Sequence, residues 1–579
     1  MNRNAGLSRD DARITERHYL QSQCCKGAAA PKSRLNNVKG RGMQVDRRSF
    51  LKIAGVGALG ASALLGGCAT PASDEGSSGA AKITGGVSAG ELERKVGSSS
   101  ETFDVVVVGA GAAGLMAALE LTKGGKSVAV VEKGTPAAAN FAVCGGPAAC
   151  GTVVQEQEGV DLSVDTMFDY MYGFSRTSVN GALLRNLVAC TGIAVNDMVD
   201  LGIPFTLDPD VYGNGFRARH FFGVGGEERV APIVSAIEEA GGTFFLSNAA
   251  EKVIMVDGVA KGVQTSNGID VMGDAIVICT GGFLGDEDMQ LEKLNTTIFP
   301  LGSPLSDGTG IRMVLDAGGA WDRNFAVLGN ECGAVSRGTV GTPFNEDYSN
   351  KNEHLGYWLF GGLYTDTTGE RYMNEYEIAQ FPLAIGGEAL VRTGKSYAVM
   401  DESYYRACQN EGIFSYLGEP SYWASGPMVG FYDPKAETAD SMLQEAMDQG
   451  WAAKADSIAD LAKTFDLPHL EETVEAYNAS CDAGVDELFG KPKEFLKPVK
   501  TAPFYIFEYL PSAWSTNGGV KVDSHLRAVD KDNVAIPGLY VAGVDQGSSY
   551  CVPYYSNPGS SVGLAVGSGV YVAKEILGN

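Results

Sequence analysis

The pattern of apolar and polar residues near residue 100 predicts a buried strand, a tight turn, a helix and a second buried strand. Phe103–Val108 reads FDVVVV, a run typical of a parallel strand covered on both faces. A helical stretch follows over about Ala112–Lys123, and a second strand over Ser127–Val131. Ala275–Asp286 and Gly538–Asp545 each predict a later strand that ends in a small-residue turn or an acid. This alternation predicts an α/β fold with a parallel sheet.

The turn between the first strand and the helix has the spacing of a dinucleotide site. In Gly109–Gly114, Gly109 permits the tight turn, Gly111 lets the backbone approach a pyrophosphate, and Gly114 lets the helix pack on the strand. The helix N-terminus presents partial positive charge to phosphates. Glu132 ends the second strand, where a carboxylate can accept the ribose hydroxyls. The alternative is a glycine turn that binds no ligand. The strand, the turn, the helix, the second strand and the acid nevertheless all fall at the spacing that a dinucleotide site requires.

The net charge and the spacing of the cysteines argue against several classes of function. The 579 residues carry a net charge of −25, and residues 68–579 hold 33 basic against 66 acidic side chains. Such an acidic body repels phosphate, so no nucleic-acid partner is expected. The eleven cysteines include no CxxC or CxxCH, so neither a c-type haem nor a ferredoxin-type cluster is expected, and no metal site is predicted.

The N-terminal region resembles an export signal. Arg47 and Arg48 begin the segment RRSFLK, and the short apolar run Ile53–Leu65 follows. Cys68 then ends a lipoprotein-like box, which predicts lipidation of Cys68 and an extracytoplasmic protein anchored to the membrane by lipid. Residues 1–67 are therefore expected to be the twin-arginine signal, and residues 68–100 a flexible tether. Met43 would give a leader of ordinary length, so residues 1–42 are expected to precede the true start or to be disordered.

Further segments, in their order, resemble the fumarate reductase flavoprotein family, which includes ketosteroid dehydrogenases and alkene reductases of anaerobes. The resemblance covers about 101–579 and rests on short glycine-rich or charged segments. These are Cys144–Gly146, Asp307–Gly310, Gly369–Glu375, Lys454–Ala462, Thr473–Asn478, Gly484–Gly490 and Thr516–Val520. The resemblance implies a Rossmann-type FAD-binding domain over 101–325 and 512–579, interrupted by an α+β capping domain over 326–511.

The resemblance also implies FAD as the cofactor. The flavin is expected to be held non-covalently, because relatives with a histidyl bond have a His soon after the glycine turn, and no His lies between His18 and His220. Gly559–Ser561 are expected to cap the last helix and aim N–H groups at the flavin N1/O2 edge. The implied cofactor-binding residues are Gly109, Ala110, Gly111, Ala113, Gly114, Glu132, Lys133, Asn140, Cys144, Gly145, Ala250, Thr280, Gly281, Asp307, Asp545, Ser561 and Val562.

The catalytic residues are predicted from the same resemblance. In this family reduction of an activated C=C bond takes a hydride from flavin N5 and a proton from an Arg of the segment that here contains Arg371. Glu375 and Glu353 are candidate carboxylate partners of Arg371, and only Glu375 belongs to one of the matched segments. A structural salt bridge between Arg371 and Glu375 is the alternative, and the motif favours the catalytic role.

The predicted substrate is a largely neutral molecule. Fumarate reductases hold carboxylates with a His and an Arg, at positions where this chain has Ser515 and Asn557. Ser515, Asn557 and Gly559 are therefore predicted to contact substrate, and Tyr554 and Tyr555 to polarise its carbonyl oxygen.

The leading hypothesis is a reductase of steroid-like enones, unsaturated lactones or phenylpropenoids, with electrons from a membrane-side cytochrome or quinol system. The alternatives are a ketosteroid-type dehydrogenase running the reverse reaction, a fumarate-type reductase, and a non-catalytic flavin lipoprotein that only transfers electrons.

Overall fold

A computed structural model describes residues 99–209, 216–327, 332–334, 362–379, 387–411, 416, 439–552 and 556–578. The expected twin-arginine pair lies outside these residues, as do Cys68, Glu353, Tyr554 and Tyr555. The described strands fall into two large sheets and several small ones. The strands are β1 Ser100–Thr102, β2 Val105–Val108, β3 Val128–Val131, β4 Phe205–Leu207, β5 His220–Phe222, β6 Thr243–Phe245, β7 Ala250–Val256, β8 Val259–Thr265, β9 Asp270–Met272, β10 Ala275–Ile278, β11 Phe299–Pro300, β12 Ala326–Val327, β13 Cys332–Ala334, β14 Leu363–Thr365, β15 Ser396–Asp401, β16 Ala452–Ala455, β17 Phe504–Ala513, β18 Thr516–Asn517, β19 Arg527–Val529 and β20 Ala535–Val541.

The described residues also form α-helices. In addition, 3₁₀ turns lie at Pro136–Ala138, Glu375–Ala379, Lys493–Phe495 and Gly543–Asp545. In chain order the α-helices are α1 Ala112–Lys123, α2 Asn140–Val143, α3 Val153–Gln157, α4 Val164–Phe174, α5 Gly181–Asp200, α6 Gly226–Glu239, α7 Glu287–Leu294, α8 Thr309–Asp316, α9 Gly387–Thr393, α10 Glu402–Glu411, α11 Ala439–Asp448, α12 Ile458–Phe465, α13 Leu470–Ala483 and α14 Ser560–Leu577.

The first large sheet confirms the predicted α/β fold. Its strand order is β19-β20-β10-β2-β3-β6, and every neighbouring pair is parallel except β19 with β20. All four residues of β2, β3 and β10 are buried, which explains why their sequences are continuously apolar instead of alternating. The helix predicted over Ala112–Lys123 has those bounds. Strands β7, β8 and β9 pair antiparallel and lie between β6 and β10 in sequence, as an insertion into this parallel domain, and β1 joins their sheet in parallel beside β9.

The last helix, α14, closes this domain because its glycines permit backbone-to-backbone contact. A side chain at Gly569 would collide with the carbonyl oxygen of Ala113 in α1, and one at Gly563 with that of Ala148. The side-chain amide of Asn186 in α5 donates to the Tyr571 hydroxyl at 2.8 Å. Helix α5 is long and apolar enough to cross a membrane by length and composition, but 56% of its most apolar window is buried inside the protein.

The second large sheet forms the centre of the region expected to be the cap. Its strand order is β11-β17-β15-β14, with β13 and β16 also paired to β17. Helices α12 and α13 cover one face, where Leu461, Val474 and Tyr477 join Val399 and Ile506 in a core of their own. Strand β11 precedes residue 326, so the first part of the flavin domain contributes a strand to the cap sheet at Phe299–Pro300.

Candidate functional site

The glycine turn has the backbone that a dinucleotide site requires. Gly109 has φ +102°, and a side chain there would collide with the Cys279 carbonyl on the neighbouring strand. A side chain at Gly114 would collide with the carbonyl of Gly109. At Gly111 the only neighbour of an added Cβ would be the Cβ of Ala139, at 3.8 Å. Ala110 and Ala113 are buried beneath the turn. The turn is therefore tight towards the sheet and open at Gly111, where a pyrophosphate has room to approach.

The Glu132 carboxylate faces the glycine turn and also stabilises it through hydrogen bonds. One carboxylate oxygen accepts the backbone N–H of Ala110 at 2.8 Å, and the other accepts that of Gly134 at 2.7 Å. Each oxygen keeps a further lone pair, so these contacts are compatible with ribose binding. Strand β7, which begins at Ala250, starts close to Glu132, because the backbone N–H of Asn248 donates to the Glu132 carbonyl at 3.0 Å. The structure thus brings Glu132 and Ala250 to one end of the turn.

Lys133, Asn140 and Asp307 link the segments around the turn. Lys133 forms an ion pair with Asp307 at 2.8 Å, and Asp307 also accepts the Thr309 hydroxyl at 2.8 Å. Burial alone would raise the pKa of Asp307, but Lys133 and Thr309 lower it below its ordinary value. The amide of Asn140 donates to the Trp514 carbonyl at 2.8 Å and accepts the Ser303 N–H at 2.7 Å. In the structure these three side chains bind protein groups and hold distant segments together.

Asp545 secures the loop after β10. Its fully buried carboxylate accepts the N–H and the hydroxyl of Thr280 and, at 2.7 Å, the N–H of Gly282. Burial raises its pKa, and the hydrogen bonds from this loop oppose that shift. Gly281 lies between the two donors and has φ +99°, a conformation that favours glycine. Asp545 therefore joins the two later segments on which the FAD resemblance rests.

Two buried arginines, which the sequence did not single out, lie beside Cys144 and Gly145. Arg229 donates to the carbonyls of Phe141, Cys144 and Val224, and its guanidinium stacks on Phe222 at 3.8 Å. A side chain at Gly145 would collide with the guanidinium of Arg219. Burial lowers the pKa of Arg229 and raises that of the Cys144 thiol. These guanidinium groups give the segment a positive potential that suits an anionic cofactor. No motif spacing reveals Arg229, because its hydrogen-bond partners are mainly backbone carbonyls.

The first turn of α14 carries the remaining predicted cofactor residues. Gly559 has φ +81° and caps the helix, and the N–H groups of Ser561 and Val562 have no acceptor within it. The Ser561 hydroxyl donates to Oδ1 of Asn517 at 3.4 Å. Asn517 is fully buried, and its Nδ2 has no hydrogen-bond partner among the residues that the structure describes. A helix N-terminus and an orphaned amide donor fit the electron-rich edge of a flavin, so this end of the site also suits FAD.

The predicted substrate anchors are buried and uncharged. Ser515 is 6% exposed and donates to the Thr516 carbonyl at 2.9 Å. Asn557 is 1% exposed, and its Oδ1 accepts the Ser556 hydroxyl at 3.0 Å. Ser515 lies two residues before Asn517 in sequence, and Asn557 two residues before Gly559, which was predicted to lie at the flavin edge. Neither side chain can form an ion pair with a carboxylate.

Arg371 and Glu375 form a buried ion pair inside the cap. The guanidinium donates to both oxygens of Glu375, at 3.0 and 2.8 Å, and also to both oxygens of Asp486. Lys491 lies 3.4 Å from Glu375 and donates to the Tyr477 hydroxyl. Burial would lower the pKa of Arg371, but the two carboxylates outweigh it and raise the pKa. We name these residues, Arg371, Glu375, Asp486, Lys491 and Tyr477, the cap ion cluster.

The cap ion cluster favours the structural alternative for Arg371. The side chains of Arg371, Glu375 and Asp486 are at most 4% exposed, and the rings of Tyr477 and Phe489 lie about 5 Å from the guanidinium. A raised pKa also makes Arg371 a weaker acid. The catalytic role of Arg371 and Glu375 therefore stays a prediction for which these contacts give no support. Sequence spacing found Glu375 but not Asp486 or Lys491, which come from a distant segment.

Comparison with known protein families gives one match that covers most of the chain. Residues 104–562 match the profile of the family described as FAD binding domain. The chain is 26% identical to vinyl phenol reductase from Lactiplantibacillus plantarum, over 81% of this chain and 95% of that protein. It is 25% identical to digoxin reductase from Eggerthella lenta, over 90% of this chain and 94% of that protein.

A solved structure shows the same fold. The open conformation of a flavocytochrome c3 fumarate reductase superposes with a TM-score of 0.56 and 20% identity, over 83% of this chain and 79% of the other. FAD is thus the cofactor, and the open glycine turn, the α14 N-terminus and the Asn517 amide are the features of this structure that suit it. The chain belongs to the FAD-binding family that includes the fumarate reductases, and it is an FAD-dependent oxidoreductase that acts on CH–CH groups.

Proposed function

We propose that this enzyme reduces a conjugated C=C bond in a largely neutral small molecule, outside the cytoplasm. The observation that carries the proposal is the pair of uncharged, buried side chains at Ser515 and Asn557. A dicarboxylate needs cationic anchors, since burying an unpaired carboxylate costs several kcal/mol. Fumarate is therefore a poorer candidate than an enone, an unsaturated lactone or a phenylpropenoid.

The cap ion cluster supports the same conclusion. A guanidinium that holds two protein carboxylates has few donors left for a third, so Arg371 is poorly placed to bind a substrate carboxylate. Two relatives that align over most of their length are named for reducing vinyl phenol and digoxin. Both names favour reduction of an uncharged substrate over the reverse dehydrogenase reaction. Membership of an oxidoreductase family sets the non-catalytic alternative aside.

The proposed chemistry divides the work between cofactor and chain. Once reduced by the external electron donor, bound FAD would supply a hydride to one carbon of the double bond. A phenol from Tyr554 or Tyr555 donates a hydrogen bond to the substrate carbonyl, which draws electron density away from the alkene and prepares that same carbon to accept the hydride. The proton on the remaining carbon is predicted to come through Arg371, and that step rests on the family resemblance alone.

The proposed location determines the electron source. An enzyme exported in folded form and anchored through Cys68 has no NAD(P)H pool at hand, so a cytochrome or quinol system on the membrane is the proposed donor. Folded export suits a protein that must acquire FAD before it leaves the cytoplasm.

The test is reoxidation of the chemically reduced, FAD-loaded protein under anoxia. The visible flavin band is followed while neutral enones, lactones, vinyl phenols, acrylate and fumarate are added separately. Rapid return of the band with neutral conjugated alkenes, and little with fumarate, is the expected result. Return with fumarate alone would overturn the argument from Ser515 and Asn557. Bleaching of oxidised flavin by saturated ketones, without reoxidation by any alkene, would establish the dehydrogenase direction instead.

Variants in the tyrosine pair test the polarising role. Tyr554→Phe and Tyr555→Phe should retain FAD, and at least one should slow reoxidation by an enone by about 10²-fold, the lower range for loss of a positioned donor. Tyr540→Phe, on strand β20, is the matched control and should reoxidise at the wild-type rate. Wild-type rates in both loop variants would remove the phenols from the proposal.

A further inference from the structure

Asn517 has a buried hydrogen-bond donor without an acceptor among the described residues. It is the last residue of β18, it is fully buried, and its Nδ2 has no partner in the part of the chain that the structure describes. A buried amide donor without an acceptor is unfavourable, because folding removes its hydrogen bonds to water. Beside a helix N-terminus, such a donor suits a ligand that completes the hydrogen bond.

The neighbours of Asn517 fix the direction of its amide. The Ser561 hydroxyl donates to Oδ1 at 3.4 Å, so the carbonyl side of the amide faces the first turn of α14. Thr516, the preceding residue, accepts the Phe283 N–H at 2.8 Å and is thereby tied to the loop after β10. A side chain at Gly518, the next residue, would collide with the Asn324 carbonyl. Asn517 is therefore held from both sides, beside the helix N-terminus, with Nδ2 as the free group.

We propose that Nδ2 of Asn517 donates a hydrogen bond to a carbonyl oxygen on the pyrimidine edge of the bound flavin and thereby favours the reduced cofactor. The donor acts together with the N–H groups of Ser561 and Val562 at the start of α14. Two-electron reduction places negative charge on the N1–C2=O2 edge of a flavin. A donor at this edge consequently binds the reduced form more tightly than the oxidised form, which raises the midpoint potential.

This inference requires the FAD site but not the proposed substrate. It makes Asn517 a positioning residue for the cofactor, and its readouts are a potential and a cofactor affinity, which can be measured without any alkene. Failure of the substrate proposal would leave it untouched, and failure of this inference would leave the argument from Ser515 and Asn557 untouched.

The experiment compares the full-length, FAD-loaded wild type with Asn517→Ala and Asn517→Asp. Asn517→Ala removes the donor, and Asn517→Asp replaces the amide with a carboxylate of the same shape. The midpoint potential is measured by anaerobic titration against a reference dye, and oxidised FAD binding by fluorescence. For Asn517→Ala we expect the ratio of reduced to oxidised FAD affinity to fall about tenfold, a decrease of about 30 mV for a two-electron couple. Asn517→Asp should lower the potential further, because it adds negative charge.

The matched control is Asn248→Asp. Asn248 is also a buried asparagine whose Nδ2 lacks a partner, but it lies next to Glu132 at the other end of the glycine turn. This change should leave the potential within a few millivolts of wild type. If Asn517→Asp does not fold, the potential of Asn517→Ala is sufficient to decide between the outcomes.

An unchanged potential in an FAD-loaded Asn517→Ala protein would overturn the proposal. A potential at the wild-type value combined with slower reoxidation by an enone would overturn it as well, since the amide would then face the substrate. An equal shift in Asn248→Asp would show that any buried charge alters the potential, which would also overturn the specific role of Asn517.

Discussion

Arg371 donates to both oxygens of Asp486, at 3.0 Å each, although 115 residues separate the two in sequence. This pair joins the segment after β14 to the loop after α13. Because Arg371 binds Glu375 in the same way, one guanidinium bridges two carboxylates in the interior of the cap. Removal of one partner from a buried pair leaves an uncompensated charge, which is more costly than loss of the contact itself.

The first prediction separates a structural from a catalytic Arg371. Asp486→Asn should lower the free energy of unfolding by about 3 kcal/mol, because it leaves Arg371 with half of its counter-charge. Arg371→Lys should destabilise to a similar degree, since an ammonium cannot bind two carboxylates bidentately. Thermal unfolding of the FAD-loaded proteins checks both values.

Activity below the unfolding temperature then decides the role of Arg371. A structural Arg371 leaves reoxidation by an enone near the wild-type rate in both variants. Loss of reoxidation in Arg371→Lys, with Asp486→Asn still active and FAD still bound, would instead restore the catalytic role. Asp486 is the control because it shares the ion pair but lies outside the motif that predicts catalysis.

The second prediction concerns the two functions of the glycine turn. Gly111→Ala should leave the stability of the FAD-free protein almost unchanged, because the added methyl meets only Ala139 at 3.8 Å. FAD affinity should nevertheless fall at least about tenfold, since the methyl occupies the space open to the pyrophosphate. Gly109→Ala should destabilise the fold itself, because its φ is +102° and the methyl would strike the Cys279 carbonyl. Chemical unfolding with and without FAD distinguishes the two effects, and equal destabilisation by both would contradict them.

The third prediction concerns Asp545. Asp545→Asn places an amide N–H against the N–H groups of Thr280 or Gly282, and should cost about 1–3 kcal/mol of stability. FAD affinity should fall as the loop after β10 loosens. Asp274→Asn is the control, because that carboxylate is 83% exposed and pairs only with Lys261 across the surface. Wild-type FAD affinity in Asp545→Asn would show that the loop keeps its shape without the carboxylate.

The fourth prediction is a pH dependence centred on His220. Its ring is fully buried, bonded to the Thr152 hydroxyl at 2.7 Å and the Ala218 carbonyl at 2.8 Å, and burial lowers its pKa to about 4. In the unfolded chain the His220 ring binds a proton near pH 6.5. The neutral, buried ring therefore contributes its full stabilisation only above that pH. This stabilisation falls by about 3 kcal/mol as pH decreases from 6.5 to 4.

Asp208 follows the strand partner of His220, and its contribution to stability changes with pH in the opposite direction. Burial raises its pKa to about 7, so its contribution to stability decreases as pH rises from 4 towards 7. The difference in unfolding free energy between wild type and His220→Gln isolates the histidine. That difference should shrink as pH falls from 7 to 4.5. A pH-independent difference for His220→Gln would contradict a depressed pKa.

The fifth prediction tests the proposed location. Cys68→Ser should move the exported protein from the membrane fraction to the soluble extracytoplasmic fraction, because a lipid anchor needs the thiol. Replacement of both Arg47 and Arg48 by Lys should retain the protein in the cytoplasm. Cell fractionation with antibody detection measures both, and Cys551→Ser, a buried thiol in the folded body, is the control. Membrane attachment of Cys68→Ser would remove the lipid anchor from the proposal.

Local sequence pattern was sufficient for the flavin domain. The strands at Val105–Val108 and Val128–Val131 are continuously apolar, and the helix at Ala112–Lys123 is apolar or small over its first eight residues. Each of these elements is followed by a glycine or an acid. Both the fold and the cofactor follow from such neighbouring signals. The two strands begin later than predicted, because Phe103 and Ser127 only lead into the ladder.

The cap and the finer chemistry depend on contacts that sequence spacing does not encode. Asp486 and Lys491 join Arg371 only after the cap has folded, so the pair of Arg371 and Glu375 was recognisable and the rest of the cluster was not. Arg229 bonds to carbonyls, which every residue has. Asn517 is one asparagine among many until its burial and its unused donor are known.

The packing of α14 also determines when the cofactor can be captured during synthesis. A nascent chain that has emerged as far as the cap has the turn at Gly109–Gly114, but neither Asp545 nor the helix start at Ser560. Backbone-to-backbone contacts of Gly563 and Gly569 with earlier elements then form last. Complete formation of the FAD site therefore requires segments from both ends of the folded region, so we expect FAD to bind after α14 has been synthesised.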